Sequence, residues 1–61
     1  MASLTTKELT LLEEQLRSEQ ILVAKYRDMA NNVQDAALKT SFSQIADKHQ
    51  QHYNSLFNYM G

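Results

Sequence analysis

The chain has 61 residues, 43% of them hydrophobic, with no cysteine, no proline and a single glycine, Gly61. Disulfides and thiol chemistry are thereby excluded, and a domain this small buries only ~60% of its unfolded surface, which calls for a partner chain, a metal, or both. Six basic residues against seven acidic ones give a net charge of −1, and without a Lys/Arg patch neither nucleic acid nor an anionic membrane surface is an expected partner.

The first helix is predicted over residues 6–31. Thr5-Thr6-Lys7-Glu8 fits a capping box, with Thr5 as N-cap and Glu8 at the third helical position. Leu4 and Leu9 stand where a hydrophobic staple would put them. Inward positions then run Leu9, Leu12, Leu16, Glu19, Val23, Tyr26, Ala30 and Val33, in alternating steps of three and four. That is a helical seam in the heptad register of a coiled coil.

The only break in the pattern is Asn31-Asn32-Val33-Gln34-Asp35. Asn tolerates the conformation that ends a helix, and Asp is a good N-cap for the next one, so a turn is predicted over 32–35. A second helix is predicted over 36–59, its seam reading Leu38, Phe42, Ile45, His49, His52, Leu56 and Tyr59. A short turn between two such helices makes them antiparallel neighbours. Strand formers do not alternate for long anywhere, and the fold class is all-α.

Both apolar faces are broad. Leu11, Leu22 and Met29 widen the first helix's face, and Ala46, Tyr53, Phe57 and Met60 widen the second. Each apolar arc spans roughly 160°, against the ~100° stripe that suits one contact. A lone hairpin covers only part of that, so a homodimer closing into a four-helix bundle is expected.

Three ionisable residues sit in the seams. Taking Gln34 as the centre of the turn, Glu19 lies as far before it as His49 lies after it, and His52 follows one helical turn later. An antiparallel hairpin then gathers Glu19, His49 and His52 in one layer. A seam carboxylate costs several kcal/mol unless it is paired, hydrogen-bonded or coordinated. Imidazole with carboxylate suits a divalent transition metal such as Zn, Fe or Mn. The alternative is a hydrogen-bonded polar layer that fixes register without a ligand. Tyr26, seven residues beyond Glu19 on the same face, is either core or a hydrogen-bond donor behind a carboxylate.

Glu19 followed at a distance by Tyr26, and His49-Gln50-Gln51-His52 in the place of a Glu-x-x-His motif, resemble the helices of ferritin-like proteins. Nearly the whole chain, from Leu4-Thr5-Thr6-Lys7-Glu8 through Ala46-Asp47-Lys48-His49-Gln50-Gln51-His52, is similar to the spore coat F family of ferritin-like helical hairpins. The resemblance implies a structural role in a coat or similar assembly, with coat proteins as further partners and the cytoplasm or spore coat as the location. It carries Glu19 onto the first-helix carboxylate, His52 onto the histidine and Tyr26 onto the tyrosine. His49 departs from it, standing where the pattern has glutamate. Two carboxylates and four histidines in a dimer would replace the four carboxylates and two histidines of a di-iron site. This argues against a di-iron oxidase and for a single ion or a nitrogen-rich site.

Other chemistries find no support. No serine or cysteine is placed as a nucleophile, since Ser41 lies two turns from His49. Phosphate loops need glycines that the chain lacks. No apolar run approaches the ~20 residues of a membrane span, and no basic-then-apolar leader opens the chain, so a soluble, unsecreted protein is expected. The expectation is a structural protein and not an enzyme, with weak redox activity conceivable only on a bound metal.

Overall fold

A computed structural model describes residues 3–60; of the single domain expected over 1–61, Met1, Ala2 and Gly61 lie outside the described residues. Helix α1 spans Thr6–Asn32 and α2 spans Ala36–Phe57. Thr5 caps α1 with both halves of a capping box: its hydroxyl accepts from the Glu8 amide at 3.1 Å, and Glu8 accepts from the Thr5 amide at 2.9 Å. The Thr5 amide, and then its hydroxyl, hold the Glu8 carboxyl below its ordinary value of 4.5. A group so depressed adds stability in full above that ordinary value and loses it as pH falls through the lowered one. An NMR titration should place the Glu8 midpoint under 4.5; a midpoint at or above it would mean the box is open in solution.

Asp35 caps α2, its carboxylate accepting from the Leu38 amide at 2.9 Å. Asp35→Ala should lower the unfolding free energy by about 1 kcal/mol, read from the denaturant midpoint. A variant as stable as the parent would show that water serves that amide equally well.

Two boundaries differ from the sequence pattern. Val33, expected as the last seam residue of α1, is its C-cap, with extended backbone (φ −84°, ψ 142°) and its amide still bonded to the Met29 carbonyl. The chain must leave the helix there to reach the Asp35 cap. At the other end, α2 stops at Phe57, and Asn58–Met60 tighten into a 3₁₀ turn, a common way for a final turn to use its last carbonyls.

The corner between the helices is closed from α2. Lys39 Nζ donates to the Ala30 carbonyl at 2.7 Å, placing a cation where α1 has no basic residue in its last turn and where a helix end favours positive charge. Further along, Tyr26 and Phe42 meet with ring centroids 6.1 Å apart. The helices are therefore antiparallel, as the short turn requires.

The buried residues are Leu16, Glu19, Val23 and Ala30 on α1 and Ala46 on α2. Ala46 is the most enclosed, at 0% exposure. The contact line on α2 is thus rotated from the centre of its apolar arc towards Ala46 and Tyr53. Leu38 and Tyr59, expected in the seam, are exposed. One physical reason suffices: an apolar arc broader than a single contact must leave one flank behind, and a small Ala side chain lets the backbones approach most closely on the other. That Ala46 flank is also tied by polar contacts. Gln20 donates to the Tyr53 hydroxyl at 3.4 Å, and Arg27 meets Asp47 at 3.4 Å. Both members of the ion pair are well exposed, and such pairs contribute little.

Candidate metal centre

Glu19 is supplied by the middle of α1, midway between the caps Thr5 and Val33. His49 and His52 come from α2, one turn apart, as helical spacing demands. The antiparallel register brings all three together. His49 Nδ1 stands 3.1 Å from Glu19 Oε2 in a hydrogen bond, and His52 Nδ1 stands 3.2 Å from the same oxygen. For the His49 bond to form, that Nδ1 must carry the proton, since an ionised carboxylate only accepts. The side chains differ sharply in exposure: Glu19 is 7% exposed, His49 23% and His52 57%.

The setting of His49 is fixed by aromatic packing. Tyr26 stacks against its ring, with centroids 6.0 Å apart and planes 14° from parallel, while His52 meets it edge-on at 5.6 Å. Of the two roles open to Tyr26, core packing or a hydrogen bond behind the carboxylate, the structure shows the packing. Among the described residues no hydrogen bond joins its hydroxyl to Glu19.

One carboxylate oxygen and two imidazole nitrogens lie within 4.8 Å of one another and could hold a metal ion. Donors around a tetrahedral ion at ~2.0–2.1 Å stand about 3.4 Å apart. The Glu19–His distances fall close to that spacing, and all three donors lie within 4.8 Å of one another. Loading exchanges protons for the metal, since a ligating nitrogen must give up its proton. The donor set, two nitrogens and one oxygen, is borderline in softness and fits zinc, iron or manganese better than calcium or magnesium.

An open groove of about 320 Å³ runs past the cluster, lined by Gln15, Glu19, His52, Ser55 and Leu56. Gln15 and Ser55 were not singled out in the sequence. Helical spacing was the available signal: Gln15 is four residues before Glu19 and Ser55 three after His52. The groove is a surface furrow beside the cluster and not an enclosed substrate cavity. No family model matches this chain, and no curated protein or solved structure matches it either.

Among the described residues, no helix is long and apolar enough to cross a membrane.

Proposed function

We propose that the protein is a small structural assembly unit: a helical hairpin that pairs with a second copy into a four-helix bundle. The observation that carries this is the apolar surface one hairpin leaves in solvent. Leu11, Leu38, Phe57 and Tyr59 are all among its exposed large hydrophobics, while only five described residues are buried. A single layer of two helices has no second layer against which to bury that surface. The resemblance to spore coat F hairpins supports a coat or similar protein shell as the setting, with other shell proteins as further partners.

A second reading is favoured by the Glu19–His49–His52 cluster: the same hairpin binds one divalent transition metal. A carboxylate buried beside two imidazoles is costly as a mere structural device, because a hydrophobic layer would be as stable or more so. The two readings are compatible, with the metal acting as a staple in a domain that has no disulfide. At such a site the ion would neutralise Glu19 and hold α1 to α2 through both histidines.

One set of measurements tests both. Sedimentation equilibrium on tag-free protein should give twice the monomer mass, with a melting temperature that rises with protein concentration. Monomer mass at every concentration would end the bundle proposal. Elemental analysis of the same sample should find a stoichiometric transition metal. Metal-free protein that ignores added zinc, iron and manganese would end the second reading.

A further inference from the structure

The two sides of the hairpin are not equivalent. On one side the helices are tied across by Gln20–Tyr53 and Arg27–Asp47. The groove beside Glu19 and His52 opens on the other. At 100° per residue, Leu11, Leu22 and Met29 turn towards the groove from α1, and Leu38, Ile45 and Tyr59 do so from α2. Lys7, Glu14, Arg17, Lys25 and Asp28 fall on the remaining arc of α1; Glu8, near the end of the hairpin, and Lys48 are the charged residues within the groove side beside Glu19 and His52. Ile21, 60% exposed, points away from it. The groove side is poorer in charge than the remaining arc of α1, as the core of an interface is poorer than its surroundings.

Its size suits one occupant. The hairpin measures 46 × 16 × 10 Å, so its broad face is comparable in size to the ~800 Å² that each partner of a stable pair buries. A second copy presents the same face, as an isologous two-fold contact requires. Because Glu19 lies midway between the caps of α1, full overlap brings both clusters to one level, whether the hairpins run parallel or antiparallel.

The cation cluster sits in that face, and it is unfinished within one chain. It offers three donors, whereas closed structural zinc sites have four. The donor left most exposed, His52, lines the groove together with Glu19.

Resting on the paired-hairpin, metal-binding reading above, we infer that the groove face is the pairing surface and that the Glu19–His49–His52 site is completed across it by the second copy. Metal loading and pairing are then one coupled equilibrium. Metal tightens the dimer by the factor by which pairing tightens the metal.

Two exposed positions on the face and one off it give the test. Leu11→Glu and Leu38→Glu each put a charge in the face without touching the buried core, and Ile21→Glu is the matched control. Circular dichroism checks that all three stay helical. Each is then measured by sedimentation equilibrium with zinc and with a chelator, and by zinc titration. The expected result is that wild type and Ile21→Glu pair more tightly with zinc. The two face variants should be monomers whose zinc affinity is weaker by about tenfold or more. Face variants that pair like the wild type would overturn the surface assignment. Monomeric variants that bind zinc as tightly as the paired wild type would overturn the shared site, and the metal reading would stand without it. A wild type that binds no zinc removes the metal reading itself, a result distinct from either. If Ile21→Glu also turns monomeric, the face is wrongly placed.

Discussion

Zinc at a hundredfold excess over its dissociation constant should stabilise the folded protein by about 2.7 kcal/mol. In a domain this small each kcal/mol moves the melting temperature by roughly 4–8 °C, so a rise of about 10–20 °C is expected in a thermal scan. The gain should disappear in Glu19→Leu, which removes the only carboxylate of the cluster. Without metal, the triple variant Glu19→Leu, His49→Leu, His52→Leu should melt at or above the wild type, because the whole buried polar layer then gives way to an apolar one. For that triple variant, the sign reversal between the two conditions is the diagnostic result. A Glu19→Leu protein destabilised equally with and without zinc would mean that the His49 hydrogen bond alone gives Glu19 its role.

The second large effect is expected at Ala46. It is the most enclosed of the described residues, at 0% exposure. Ala46→Leu inserts three carbons into a contact with no space for them, and overpacking of this kind costs about 1–3 kcal/mol. Since the helices can yield only by moving apart, the register contacts either side must loosen too. The loss should appear as a lower denaturant midpoint and as weakened amide protection along both helices. A variant of unchanged stability would place the close approach of the helices elsewhere. Ala24→Leu, on an exposed position of α1, is the control and should change stability little.

Much of this architecture is legible in the sequence because it is written locally. The capping box of Thr5 and Glu8 needs four consecutive residues, and the Asp35 cap needs one in the right place. The level of Glu19 with His49 and His52 follows from counting outward from the turn, because a short connection leaves the register little freedom. The cluster is thus a consequence of symmetry about Gln34.

What the sequence left open is rotation. A helix with a broad apolar arc can turn about its axis and still bury apolar residues, so the pattern alone does not choose between the Leu38 and the Ala46 flanks of α2. The choice falls to side-chain volume at the contact, which heptad counting ignores. The same rotation puts His52 nearer the surface than His49, although both occupy seam positions. Val33 continues the seam although it lies in the turn, because periodicity runs on past a helix end while the backbone must leave to form the next cap. The Lys39 contact with Ala30 has no periodic signature, since it joins a side chain to a carbonyl across the corner.

That corner contact also bears on how the chain folds. Lys39 and Ala30 are nine residues apart, Tyr26 and Phe42 sixteen, Glu19 and His49 thirty, and Gln20 and Tyr53 thirty-three. Each contact, once made, shortens the loop that the next must close, and the cost of closure grows slowly with loop length. The expected folding order is therefore a zipper closing from residues 30–39 outward. Mutations at the corner should slow folding, and mutations towards Leu9 and Tyr59 should mainly speed unfolding. The histidine–carboxylate layer sits midway along this path and is expected to assemble after the corner.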